Sequence, residues 1–172
     1  TNDAIWDWDM HSDRLSGNVS FNRLFGVAAG TSVNYAQLVE KIHPDDRARV
    51  KENFKQTLKQ RVSLITEEFR FEAPDGSYRS VYNRAYILYN RSNRAYRMLG
   101  AIQDITAITE ARQKLLLEKE LSESIINSLP GIFYLFNKNG QFYIWNKNFE
   151  TVTGYTCEEI SRIHPFDFFI AG

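Results

Sequence analysis

One cysteine, Cys157, stands in 172 residues. The chain therefore has no internal disulfide and no Cys-rich metal cluster, and a reducing, cytoplasmic setting is the expectation. Charge of one sign is not in excess, with 21 basic against 21 acidic side chains, so bulk charge recommends neither nucleic acid nor an anionic membrane as partner. No stretch approaches the roughly 20 apolar residues of a membrane span, and no secretory leader opens the sequence. The expectation is no membrane within this fragment; an anchor of a parent protein would lie outside it. A Gly-rich phosphate loop, a nucleophile beside a base and a metal-spaced His/Cys cluster are all missing, so the chain does not read as an enzyme. What is present is core: 43% of residues are hydrophobic and 14% aromatic, enough to fold.

Ala4 to Met10 alternates, with Trp6, Trp8 and Met10 on one side and Asp7 and Asp9 on the other, as a strand with one buried face does. A second short strand is expected near Leu15 to Val19. Ser20 is placed to cap a helix over Phe21 to Phe25, ended by Gly26, and Asn34 to begin another carrying Tyr35, Leu38, Val39 and Ile42. Pro44-Asp45-Asp46 opens a longer helix with Val50, Phe54 and Leu58 on one stripe. Phe69, Phe71 and Ala73 then alternate with charged residues, and Pro74-Asp75-Gly76-Ser77 reads as a hairpin turn. Strands over Tyr78 to Tyr89 and Ala95 to Asp104 follow. Two strands, helices, then three strands imply an α+β fold, an antiparallel sheet with helices on one face.

From Thr106 the character changes. No Gly or Pro occurs before Pro130, and Ile108, Ala111, Leu115, Leu121, Ile125 and Leu129 mark a helix with a buried stripe, its heptads broken at Glu118. After Gly131 the chain repeats itself. A shift of 128 lays Trp6, Trp8 and Asp9 on Tyr134, Phe136 and Asn137, Asn18 on Asn146, Phe21 on Phe149, Leu24 on Val152 and Gly26 on Gly154. Ile42-His43-Pro44-x-Asp46 meets Ile163-His164-Pro165-x-Asp167 at a shift of 121.

Trp6-Asp7-Trp8-Asp9, His43-Pro44-Asp45-Asp46, Asp75-Gly76, and Gly100 followed by Asp104-Ile105-Thr106 together resemble a PAS domain with its C-terminal motif, of the kind common in bacterial sensor kinases and cyclic-di-GMP enzymes. The resemblance implies a PAS sensor domain over 1–107, a connector helix over 108–129 and a partial second PAS unit over 130–172. It implies a five-stranded antiparallel sheet whose concave face is roofed by helices over a pocket. It also implies signal coupling at Asp104 and Thr106, where the last strand meets the output helix. A carboxylate and a hydroxyl at such a junction also suit a plain cap.

With the register taken from the resemblance, Trp6, Trp8, Phe69, Phe71, Val81, Asn83, Ala85, Met98, Gly100 and Ile102 face inward. Asp7, Glu68, Arg70, Tyr82, Arg84, Tyr86 and Gln103 face outward. Flavin light sensors of the family use a reactive Cys, and residues 1–131 contain none. Their inner-face amides correspond here to Phe71, Val81 and Ile102, and Gln103 sits one residue off, on the other face. A haem member needs an axial ligand, and residues 45–64 contain no His. His43 reads as a helix-start cap and His11 as a solvated turn residue. No cofactor is expected. The inner face is either a packed aromatic core or a site for a small-molecule ligand oriented by Asn83, read as the one inward polar side chain.

The expected role is therefore the sensing and relaying PAS module of a bacterial histidine kinase. The same module in a diguanylate cyclase or phosphodiesterase, or a ligand-free dimerisation module, are the alternatives. A homodimer is expected, with an output domain in the same parent chain. Residues 132–169 are rich in aromatics, among them Phe133, Phe142, Tyr143, Trp145, Phe166, Phe168 and Phe169, too many for roughly 40 residues to bury alone, so a second chain is expected to cover part of them.

Overall fold

The computed structural model describes residues 3–165; Phe166, Asp167, Phe168 and Phe169, which the repeat and the aromatic reading invoke, lie outside them. The chain divides into two compact units between Glu110 and Ala111. The first begins with strand β1 (Ala4–Asp9) and strand β2 (Arg14–Gly17), followed by helices α1 (Val19–Phe25), α2 (Tyr35–Lys41) and α3 (Pro44–Gln60). Strands β3 (Leu64–Glu72), β4 (Tyr78–Tyr89) and β5 (Ala95–Asp104) complete it. The five strands form one sheet in the order β2-β1-β5-β4-β3, with each neighbouring pair antiparallel.

Alternation decides which face is which. Along β1, Ala4, Trp6 and Trp8 are buried while Ile5 and Asp9 are exposed, and the core they start includes Phe21, Phe71, Ile42 and Val81. The start of α1 differs from the expectation. Asn18, not Ser20, is the cap: its Oδ1 accepts from the Phe21 amide at 2.9 Å. Val19 accordingly belongs to the helix and β2 stops at Gly17. Gly26 ends α1 in the left-handed region, at φ 70°, a conformation that glycine adopts without a Cβ clash. Asn34 caps α2 within a reciprocal capping box with Gln37. His43 caps α3, its Nδ1 accepting from the Asp45 amide.

Helix α3 is tied to β3 by polar groups. Asp46 accepts from the Arg70 amide and from its Nε, both at 2.9 Å. Arg49 donates to the Glu68 carbonyl at 2.7 Å, and the His43 amide donates to the Arg70 carbonyl at 2.8 Å. At the far side of the sheet, Leu15 of β2 exchanges both backbone hydrogen bonds with Val33, each 2.8 Å.

Helix α4 (Thr106–Ser128) crosses the boundary between the units. The stripe expected to be buried is not: no residue of α4 is buried, and Leu115 keeps 68% of its surface and Leu121 60%. Periodicity marks an apolar face, but burial needs a partner surface, and the described residues bury none of this helix.

In the second unit, β6 (Tyr134–Phe136) pairs with β7 (Phe142–Trp145), followed by helices α5 (Lys147–Thr153) and α6 (Cys157–Ile160). At the shift of 128, β2 falls on β7 and α1 on α5 residue for residue, and Gly154, like Gly26, closes its helix in the left-handed region, at φ 74°. Asn146 repeats the bonds of Asn18. Asn18 Oδ1 accepts from the Phe21 and Ile5 amides, and its Nδ2 donates to the Asp3 carbonyl. Asn146 Oδ1 accepts from the Phe149 and Phe133 amides, and its Nδ2 donates to the Gly131 carbonyl. One amide thus caps a helix and pins the incoming strand in both units.

Candidate functional site

The inner face of the first sheet and the helices above it enclose a cavity offering about 60 Å³ to the centres of water-sized spheres. A single water needs roughly 10–15 Å³ on that measure, so the space has the size of a few waters or one ring. Its floor is Trp6 and Trp8 of β1, Phe69 of β3, Asn83 of β4, and Met98 and Ile102 of β5. Its roof is Tyr35 and Leu38 of α2 with Val50 and Phe54 of α3.

Six of the eight expected pocket residues line this cavity. The other two, Phe71 and Val81, are fully buried but lie off its wall, Phe71 packing against Phe25 with ring centroids 5.0 Å apart. Gly100 lets Trp6 lie close over β5: a Cβ there would sit 2.6 Å from the indole ring and 2.7 Å from the Ala85 Cβ. Trp8 stacks on Tyr35 at 5.1 Å and 11° between planes. Asp13 fixes that stack, its carboxylate accepting from the Trp8 indole at 2.9 Å and from the Tyr35 amide at 3.1 Å. Burial pushes the Tyr35 phenol above its ordinary value.

Two readings of the polar lining are corrected. Asn83 does not await a ligand to satisfy its oxygen, because the Trp6 indole donates to it at 3.2 Å. Nor is it the one inward polar side chain. Glu67 of β3 also lines the cavity, its side chain only 9% exposed. It stands directly opposite Asn83 in the β3–β4 ladder. Its carboxylate accepts from Arg49 on one oxygen and from Asn53 on the other. The period-2 rule that placed Phe69 and Phe71 inward places Glu67 there as well; its charge masked the signal.

The junction of β5 and α4 is a closed hydrogen-bond circuit. Asp104 accepts from the Thr106 hydroxyl at 2.6 Å and from its amide at 2.9 Å. The Thr106 hydroxyl oxygen in turn accepts from the Ser80 amide at 3.1 Å, and the Ile105 amide donates to the Ser80 carbonyl at 2.9 Å. Arg79 pairs with Asp104 at 3.3 Å and with Asp75 of the preceding turn at 3.9 Å. Burial pushes the Asp104 carboxyl up, but the bonds from Thr106 and Arg79 outweigh it and hold the group below the usual carboxylate range. The first turn of α4 is therefore fastened to the start of β4. Among the described residues, no group of three His, Cys, Asp or Glu side chains could hold a metal ion. No described helix is long and apolar enough to cross a membrane.

Residues 14–102 match the family model described as the PAS fold. The chain belongs to the PAS family. A second PAS model matches residues 120–172. The chain is 24% identical over 158 residues to the probable diguanylate cyclase DgcE of Escherichia coli K12, covering 91% of this chain and 14% of that protein. It is 27% identical over 138 residues to the blue-light-activated histidine kinase of Brucella anthropi, covering 80% of this chain and 27% of that one. The PAS chain thus spans less than a third of either relative. A crystal structure of a sensory box histidine kinase/response regulator from Burkholderia thailandensis superposes with a TM-score of 0.62 at 27% identity, covering 72% of this chain and 92% of that one.

Proposed function

We propose that this chain is the sensing and relaying PAS segment of a larger bacterial sensor histidine kinase. The small cavity of the first unit is the input, and the Asp104–Thr106 junction is the output. One observation carries the reading. The junction residues bond to Ser80 and Arg79 of β4, and Asn83 on the same strand lines the cavity. A change in the cavity wall therefore has a continuous strand and three hydrogen bonds through which to tilt α4. Sensor-kinase PAS domains commonly dimerise, and the bare apolar stripe of α4 suits pairing with α4 of a second copy. The diguanylate-cyclase reading is supported by the match to DgcE along 91% of the chain, and the same relay serves it.

The test is a graft of the chain onto a kinase with measurable autophosphorylation. Asp104→Ala and Thr106→Ala should leave the circular dichroism spectrum unchanged and reduce regulation at least fivefold. Two variants that fold and regulate as the wild type does would dismiss the relay.

A further inference from the structure

The cavity wall carries a donor–acceptor pair that the protein leaves partly unused. Glu67 and Asn83 sit opposite one another across the β3–β4 ladder, which places their Cβ atoms about 5 Å apart on the same face. A carboxylate has about four acceptor positions, and Arg49 and Asn53 occupy one on each oxygen. Arg49 also neutralises the charge, so a second cation gains little there. Asn83 gives its oxygen to the Trp6 indole, while its amide nitrogen has no protein partner among the described residues. Every other wall is apolar or aromatic, including Trp6, Phe54, Phe69 and Met98.

We infer that this cavity binds a small, neutral, planar ring carrying an N–H beside a C=O, the edge of a cyclic amide. Its N–H donates to Glu67, its carbonyl accepts from Asn83, and its faces lie against the aromatic walls. A carboxylate ligand is excluded by Glu67, and an ammonium by the Arg49 already paired with it. A plain hydrocarbon ring would fill the space but leave the Asn83 amide nitrogen and the remaining acceptor positions of Glu67 unmatched, which a buried site penalises. The size of the space limits the ligand to about one ring. This inference rests on the sensing role of the same cavity and specifies its ligand.

The probe is 2-pyridone, compared with fluorobenzene and benzoate of similar size. Binding to the chain is read by saturation-transfer NMR and by the ¹⁵N shift of the Trp6 indole, which is bonded to Asn83. The expected result is binding of 2-pyridone at least tenfold tighter than either comparison compound, with the Trp6 indole resonance moving. In Asn83→Leu, 2-pyridone should lose at least tenfold while fluorobenzene does not. Equal binding of 2-pyridone and fluorobenzene to the wild type would overturn the donor–acceptor assignment without any variant, as would tighter binding of benzoate or no binding at all. The relay is read separately by the Asp104 and Thr106 variants. A protein that ignores 2-pyridone yet loses regulation in those variants keeps its relay and refutes this ligand class alone.

Discussion

The two units begin alike and end differently. Through two strands, a capped helix and a left-handed glycine they share one local design, down to the three bonds of Asn18 and Asn146. Burial is where they part. Trp8 of the first unit is 7% exposed, while Phe136, its counterpart at the shift of 128, is 51% exposed. The first unit adds α3 and three strands, and its core reaches Phe71, Val81 and Ile102. The second holds a described cluster of Phe142, Phe149 and Ile160 with Tyr134 and Trp145 against it. Caps and turns are set by short-range bonds and persist with little core behind them. The walls of the first unit's cavity come from layers distant in sequence, whereas the hollow of the second unit is lined by residues close in sequence, among them Tyr134, Phe136, Phe142 and Phe149.

The largest test of that contrast is paired truncation. Phe21→Ala should cost about 3–5 kcal/mol, because Phe21 is fully enclosed. Its counterpart Phe149→Ala should cost about 2 kcal/mol, since a smaller cluster relaxes more readily. Hydrogen exchange resolved by unit measures both, and equal losses would break the comparison. Gly100→Ala should cost about 1–3 kcal/mol by overpacking, because the new methyl meets Trp6 and Ala85. It should also shift the Trp6 indole resonance, and a neutral result in a urea melt would show that the ring has room to move.

Asn18→Ala and Asn146→Ala sharpen the shared half. Each removes a cap worth about 1–2 kcal/mol, and the two losses should agree to within about 1 kcal/mol if the pinning bonds are equivalent. The smallest effect concerns acid. The Asp46 carboxyl is lowered to about 2, first by its side-chain bond with Arg70. A depressed folded-state value means stability that is fully present above the unfolded value of about 4 and lost as pH falls through about 2. Asp46→Asn should therefore melt earlier than wild type at pH 6, with the gap closing between about pH 4 and pH 2. A gap independent of pH would show that the pair with Arg70 contributes nothing through charge.

Much of this was legible in the residues. The alternation of Trp6 and Trp8 placed β1 and its inner face, and the Pro-Asp-Gly-Ser turn placed the β3–β4 hairpin. The failures have physical reasons. Asn18 and Ser20 are both good caps, and what selects Asn18 is its second bond to the Ile5 amide, a contact between segments distant in sequence. Glu67 was passed over because a carboxylate facing a core is costly unless paired, and its partners Arg49 and Asn53 stand on a different element. The stripe on α4 told which face is apolar but carries no information about what covers it. The cavity itself was legible only as a list of inward residues; that Phe71 falls off its wall goes with its packing against Phe25 of α1.

The bonds between α3 and β3 have a consequence for assembly. Strand β3 is the last strand of the sheet, and an outermost strand with free amides and carbonyls is a template for adding another. Here the Arg70 amide and carbonyl and the Glu68 carbonyl are already taken by Asp46, His43 and Arg49. On the opposite margin Val33 occupies Leu15. Both margins of the sheet are thereby sealed at these positions against lengthening by a neighbouring chain. Copies of this protein that meet in solution are steered away from fibre-like stacking and toward contact through faces and helices, which can close into a finite complex.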